Sequence, residues 1–189
     1  MQTLTKSNNI SNGIIFGLMA GLVYCTSLFV RYNYTTGNPI MLGILALLFY
    51  LIIIGILVFC GLKRKKEMGG NIEMKDAFQT IFIAILLAEL IYSVFNFIYL
   101  TYIDPQLFEK FKSSMIAFIE NSGLSIEQKE KQLESIEKQF GKQAEKLTGK
   151  GIFLSYLLSV AITGVFGLLI SLIIKKKKPV FHTDQLDMH

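Results

Sequence analysis

The fold is decided by residues 78–102, which read Phe-Gln-Thr-Ile-Phe-Ile-Ala-Ile-Leu-Leu-Ala-Glu-Leu-Ile-Tyr-Ser-Val-Phe-Asn-Phe-Ile-Tyr-Leu-Thr-Tyr. This stretch is mostly apolar and exceeds the about 20 residues that a helix needs to cross a bilayer. One acid, Glu89, lies in its middle. Because a carboxyl group at that depth is costly, it is usually either paired or functional. The stretch therefore predicts a membrane helix whose acid has a partner or a task.

Three further apolar stretches lie roughly at residues 10–30, 40–62 and 152–174. They explain an apolar fraction of 52% in a chain of 189 residues, which is high for an ordinary soluble domain. The sequence therefore predicts an all-α fold, an integral membrane four-helix bundle. We expect a single membrane domain over residues 1–178, followed by a short cytoplasmic tail at residues 179–189.

Basic residues cluster directly after the second and the fourth stretch. The two clusters are Lys63, Arg64, Lys65 and Lys66, and Lys175, Lys176, Lys177 and Lys178. Because Lys and Arg are retained on the cytoplasmic side, such clusters act as topology anchors. Segment 103–151 instead balances eight lysines against eight acids. The pattern predicts two cytoplasmic termini. It also indicates that the basic residues behind the net charge of +5 contact the lipid bilayer rather than nucleic acid.

Small residues recur at every fourth position of the first and the fourth span. They are Gly13, Gly17 and Gly21 in the first span, and Ser155, Ser159, Thr163 and Gly167 in the fourth. Small residues at this spacing let membrane helices approach each other closely. We predict that these two spans pack together, with the alternative that one stripe mediates a homo-oligomer.

Residues 105–147 predict a helical segment outside the membrane, between the third and fourth spans. Apolar residues recur there at three- and four-residue steps after Pro105, which is typical of an amphipathic helix. Ser125-Ile-Glu-Gln128 resembles a capping box at the start of a second helix. We expect an extracytoplasmic amphipathic hairpin that packs on itself or on the membrane surface. The alternative is a docking surface for another envelope protein.

Glu89, Ser93 and Asn96 share one side of the predicted helix and form an intramembrane polar stripe. No Lys, Arg or His lies at that depth in another predicted span, so burial favours the neutral acid. Three roles remain open. The acid forms a structural hydrogen bond to Asn96, to Tyr24 or to a Ser or Thr of the fourth span. It is a proton or cation site of a small transporter, or it meets a polar group of a partner membrane protein.

Enzyme chemistry has little support in this sequence. The two histidines, His182 and His189, both lie in the C-terminal tail. Metal clusters and nucleophile–base pairs therefore lack their usual members. We expect no catalytic residue, no metal and no cofactor.

The layout resembles a bacterial family known as domain of unknown function 4199, found mainly in Bacteroidota. The resemblance is carried by the four-span plan, the outer amphipathic segment, Gly69-Gly70-Asn-Ile with Ala77-Phe78 before the third span, and Tyr102-Ile-Asp104-Pro105 after it. It implies a multi-pass protein of the inner membrane of a Gram-negative bacterium, and it implies no activity.

We therefore expect a non-enzymatic structural or accessory subunit of an envelope complex, whose outer segment offers a surface to a partner. The alternative is a small proton- or cation-linked transporter component that uses Glu89.

Overall fold

The computed structural model describes residues 2–34, 38–141 and 148–176, and these residues are almost entirely helical. The six α-helices are α1 (Gln2–Tyr34), α2 (Pro39–Glu67), α3 (Met74–Ile98), α4 (Leu107–Glu120), α5 (Ile126–Gly141) and α6 (Gly149–Ile174). A π-helical turn, Tyr99–Ile103, extends α3 at its C-terminal end. The predicted all-α fold is confirmed.

Four of these helices are long and apolar enough to cross a membrane. The candidate spans are Asn9–Asn33, Pro39–Glu67, Met74–Ile103 and Gly149–Ile174. The predicted four spans are therefore confirmed, and each candidate span is longer than its apolar stretch. In α2, for example, the helix continues through the basic cluster to Glu67, because Arg64 and its neighbours are good helix formers. That the bundle is a single domain stays a prediction.

Neighbouring spans alternate in direction. Asn9 bonds to Thr80 and Tyr24 bonds to Glu89, so α1 and α3 run parallel. The α2–α3 connection meets the end of α6, where Ile72 and Lys176 form an isolated antiparallel bridge. The start of α1, the α2–α3 connection and the end of α6 therefore lie at one end of the bundle, and α4 and α5 lie at the other.

Helix α3 is the centre of the bundle, since it packs against α1, α2 and α6. The glycines of α1 lie on α3: a Cβ added at Gly17 would stand 2.9 Å from the main-chain oxygen of Ala84. From α6, a Cβ added at Gly167 would stand 2.8 Å from Ile85 of α3. The predicted pairing of the first span with the fourth is therefore wrong in the described part of the chain. Each small-residue stripe meets the large side chains of α3 instead of the other stripe.

Helix α2 enters the core with one half only. Its buried residues lie at the centre of the helix or in its C-terminal half, and they are Ile53, Leu57, Cys60, Gly61 and Arg64. None of residues 39–52 is buried. The N-terminal half of α2 consequently leaves space between itself and the other three spans.

Helices α4 and α5 form the predicted hairpin outside the spans. Leu107 of α4 is fully buried in a cluster with Tyr99 and Leu100, which attaches the hairpin to the end of α3. The Ser125 amide donates to Gln128 and the Gln128 amide donates to the Ser125 hydroxyl, as a capping box requires. Helix α5 begins directly after this cap and is described as far as Gly141.

Several predicted features lie outside the described residues. They are the last part of the outer segment, residues 142–147, the basic residues Lys177 and Lys178, and the tail at residues 179–189.

Candidate functional site

Glu89 lies halfway along α3 and is 1% exposed. Three hydroxyl groups surround its carboxyl group. The Tyr24 hydroxyl of α1 donates to Oε1 at 2.9 Å, and the Thr163 hydroxyl of α6 donates to the same oxygen at 2.7 Å. The Ser159 hydroxyl of α6 donates to Oε2 at 2.5 Å. We call Glu89, Tyr24, Ser159 and Thr163 the carboxyl cage.

The carboxyl cage joins three spans at one depth. Two of its partner groups, Tyr24 and a Ser or Thr of the fourth span, are among those expected from the sequence. Each hydroxyl can donate or accept, so the cage has hydrogen bonds for the charged acid and for the neutral acid alike. Interhelical hydrogen bonds of this kind contribute about 0.6 kcal/mol on average in a membrane. The three together therefore fix the relative positions of α1, α3 and α6.

A cavity of about 470 Å³ adjoins the carboxyl cage, and all four spans line it. Its polar lining residues are Tyr24, Ser27, Arg31, Tyr50, Glu89, Tyr92, Ser159 and Thr163. The apolar lining comes mainly from α2, between Ala46 and Ile53. The cavity exists because the N-terminal half of α2 does not pack into the core. Its volume is within the range of small-molecule sites in proteins.

Two ionisable groups of opposite sign border this cavity. Glu89 lies at its deep end, and Arg31 lies two helical turns beyond Tyr24 on α1. Tyrosine rings stand between these levels, with the centroids of Tyr24 and Tyr92 5.1 Å apart. The lining thus combines an acid, a base, hydroxyl groups and aromatic faces.

The predicted polar stripe of α3 is divided in the structure. Asn96 accepts a hydrogen bond of 2.9 Å from the Tyr32 hydroxyl and lies outside the carboxyl cage. Ser93 is half-buried and makes no side-chain hydrogen bond to a described residue. Projection of α3 alone missed this division, because it omits the partner helix. The missed signal is the spacing of Tyr24 and Tyr32 on α1, which nearly matches the spacing of Glu89 and Asn96.

The small residues predicted for helix packing have different environments. Ser159 and Thr163 belong to the carboxyl cage, and Gly167 contacts Ile85 of α3. Ser155 is exposed at the surface of α6. In α1, Gly13 and Gly21 face large side chains of α3 in the same way as Gly17 does. Of the four residues of α6 that were predicted for helix packing, only Ser155 is exposed on the outer surface.

A second polar cluster lies at the end of the bundle that contains the α2–α3 connection, and it was not predicted from the sequence. Asn12 donates to Glu67 at 2.7 Å, and Arg64 lies 3.5 Å from the same carboxylate. Thr80 donates to Asn9 at 2.6 Å. Asn9, Asn12, Thr80 and Arg64 are all buried. The polar N-terminal part of α1 is therefore helical and packs in the core, where the side-chain amides of Asn9 and Asn12 form hydrogen bonds.

The basic clusters pack against the bundle in addition to facing solvent. Arg64 is 2% exposed, although a topology anchor is expected at the surface. Lys65 donates to the main-chain oxygen of Ile174 at 2.9 Å, and the Lys63 ammonium stands 5.6 Å from the Phe16 ring centroid. Lys66, Lys175 and Lys176 are exposed. The role of these residues in setting topology stays a prediction.

Metal ligands do not cluster in the described ranges, where no three His, Cys, Asp or Glu side chains stand close enough to hold an ion. The carboxyl cage, as the described side chains present it, consists of one carboxyl group and three hydroxyl groups joined by hydrogen bonds.

Comparisons with known proteins complete the description of the site. No match was found among curated proteins or among solved structures. A family model described as "Protein of unknown function (DUF4199)" matches residues 11–176, which include all four spans and the outer hairpin. The chain therefore belongs to this family, domain of unknown function 4199, as its sequence features suggested.

Proposed function

We propose that this protein is a non-enzymatic accessory subunit of a complex in the inner membrane of a Gram-negative bacterium, with both termini in the cytoplasm. The main support for this proposal is that the four spans and the hairpin differ in their contacts. The spans engage one another through the carboxyl cage and the Asn12–Glu67 contact, and the hairpin leaves large apolar side chains exposed.

The span region supports a scaffold role. Its polar groups at Glu89, Asn96 and Thr80 all bond to other helices of the same chain. A polar residue whose hydrogen-bonding partner belongs to another protein would instead lie on the lipid-facing surface of the bundle. The membrane part is thus suited to hold the outer hairpin in one orientation.

The outer hairpin supplies the proposed docking surface for another envelope protein. Ile126, at the start of α5, is 80% exposed, and Phe118 of α4 is 46% exposed. Acidic and basic side chains are interspersed along α5. Large exposed apolar side chains are typical of a protein contact rather than of a nucleic-acid contact.

The test is purification from the native membrane in mild detergent, with Ile126→Asp compared to Ser135→Asp. Both positions lie on the exposed surface of α5, and only the first removes an apolar contact. We expect a stoichiometric partner that Ile126→Asp loses and Ser135→Asp keeps. The tagged partner should recover this protein in the reverse experiment. Recovery of the same proteins with both variants would contradict the proposal.

A second candidate is a small proton- or cation-linked transporter component. It is favoured by one observation, the cavity that reaches Glu89 from between the spans. Proton flux into vesicles containing the purified protein tests it. Glu89→Gln should abolish the flux, and Glu73→Gln, an exposed acid outside the apolar core, should not. Equal flux in vesicles without protein would exclude this function.

A further inference from the structure

The cavity beside the carboxyl cage has a mouth between α2 and α6. Leu47 of α2 and Ile162 of α6 both line the cavity, and they are also 60% and 52% exposed. Closer to the C-terminal ends of the same two helices, the rings of Tyr50 and Phe166 are in edge contact, with their centroids 5.7 Å apart. The cavity therefore opens sideways, on the N-terminal side of this ring contact.

This mouth lies at the depth of the bilayer. Leu47 follows Pro39 by eight residues, which is about 12 Å along the axis of α2. Its exposed neighbours on α2 include Leu48 and Leu51. The hydrocarbon core of a bilayer is about 30 Å thick and holds no water that could hydrogen-bond. The molecules next to the mouth are therefore lipids.

Two hydroxyl groups inside the cavity have no protein partner in the described part of the chain. Ser27 of α1 and Tyr92 of α3 both line the cavity, and Ser27 is only 5% exposed. Neither side chain makes a hydrogen bond to a described residue. Buried polar groups nearly always have such a bond, and a hydroxyl can both donate and accept. These two side chains therefore point to a ligand that brings a hydroxyl or a carbonyl group.

The ionisable groups of the cavity do not call for a charged ligand. Glu89 already accepts from three hydroxyls, and Arg31 already has an interaction within the chain. A charged group that entered the cavity would leave its solvation behind without gaining a counterion there. A neutral ligand avoids this cost.

We propose that this cavity binds a neutral lipid with a single chain, of the monoacylglycerol type. Its hydroxyl or ester carbonyl bonds to Ser27 and Tyr92, and its chain leaves through the mouth between Leu47 and Ile162 into the bilayer. A volume of about 470 Å³ suits a ligand of this size and not a whole phospholipid with two chains. The proposal goes beyond the accessory role and beyond the second candidate, and it rests on neither.

The test is photolabelling of the purified full-length protein in phosphatidylcholine vesicles. The probe is a monoacylglycerol that carries a diazirine on its chain, close to the ester group. We expect labelling that saturates with probe concentration and that falls near Leu47 and Ile162, as located by mass spectrometry of the peptides. Monoolein should displace the probe at a concentration about tenfold or more below that of octadecene, or of oleate at alkaline pH. Octadecene leaves both hydroxyls unpaired, and ionised oleate brings a charge.

A pair of neighbouring variants tests the polar contact. Ser27→Ala removes one proposed hydrogen bond, so the monoolein concentration for half-displacement should rise about fivefold. Thr26→Ala should leave it unchanged, because the Thr26 hydroxyl is exposed and bonds to Leu22 of its own helix. An equal effect of the two variants would overturn the proposal.

A second pair of variants tests the cavity itself. Ala46→Phe fills the space from α2, and Leu48→Phe places the same ring on the exposed face of that helix. Saturable labelling should disappear in the first variant and persist in the second. The proposal is overturned if Ala46→Phe keeps this labelling, if the wild-type protein shows no saturation, or if octadecene or oleate displaces the probe as well as monoolein does. The order of the three competitors and the effect of Ser27→Ala keep the test decisive even if Ala46→Phe fails to fold.

Discussion

At the scale of single residues, Glu89 shows how a membrane helix accommodates a carboxyl group with hydroxyls. An isolated charged residue at the centre of a span costs about 3 kcal/mol on an insertion scale, and the apolar residues around Glu89 offset this. Within the folded bundle, the hydroxyls of Tyr24, Ser159 and Thr163 then satisfy the carboxyl group. The carboxyl group of Glu89 opposes insertion of α3, but in the folded bundle it links three helices through its hydrogen bonds.

Removing one hydroxyl from the carboxyl cage should destabilise the bundle. Thr163→Val keeps the shape of the side chain and deletes its bond to Glu89, so we expect a loss of about 1 kcal/mol in the free energy of unfolding. Thr26→Val is the matched control, because the Thr26 hydroxyl is exposed and bonds only within its own helix, to Leu22. Denaturant unfolding in detergent measures both. Equal stabilities of the two variants would show that the cage contributes nothing.

A residue's role is predictable from the sequence when it depends on one helix alone. It is not predictable when it depends on how two helices pack together. Glu89 stands out in the sequence, since an acid inside an apolar run needs a hydrogen-bonding partner wherever the run is placed. Ser93 seemed equivalent by helical projection, yet its side chain makes no hydrogen bond to a described residue. The burial of Arg64 and Asn12 depends on how far α1 continues as helix, which the polar start of the chain does not indicate.

At the scale of helices, close packing against α3 explains where the small residues lie. The Gly17 Cα lies against the main chain of Ala84, an approach that any side chain at position 17 would prevent. The four-residue spacing predicts close helix contact, because small residues are needed wherever backbones approach. It could not identify the partner, since the spacing of the small residues carries no information about the large residues that cover them.

Substitution of Gly17 should separate α1 from α3. A Cβ there would stand 2.9 Å from a main-chain oxygen, which cannot rotate away, so Gly17→Ala should cost about 1–3 kcal/mol of stability. Gly43→Ala is its control, because a Cβ at Gly43 on α2 meets nothing within 4 Å. Thermal denaturation followed by loss of solubility in detergent compares the two. A melting temperature lowered equally in both variants would contradict this packing.

The partial attachment of α2 is the feature of helix packing that the sequence conceals most completely. Leu, Ile and Phe cover every side of α2, so its pattern defines no buried face. Which half enters the core is decided by the shapes of α1, α3 and α6. The cavity that follows from this packing was accordingly not predictable, although Glu89, which it adjoins, was.

At the scale of the whole molecule, the order and alternation of the spans were predictable, and the assembly of the spans was not. Four apolar stretches with polar connections allow only an alternating path, and the end of α6 meets the α2–α3 connection as that path requires. The outer hairpin was predictable because its capping box and apolar periodicity are local signals. The central position of α3 depends on contacts between distant segments, which no local pattern encodes.

The measurement that tests the central claim most directly is the labelling of single cysteines from one side of the membrane. Gly123→Cys in the hairpin turn and Glu73→Cys before α3 are both exposed, and Cys25 and Cys60 are first replaced by alanine. Cells with a permeable outer membrane are treated with a maleimide that cannot cross the inner membrane. A four-span scaffold with an outer hairpin predicts that Gly123→Cys is labelled at once and Glu73→Cys only after the cells are lysed. Labelling of both cysteines in intact cells, or of Glu73→Cys alone, would contradict the account.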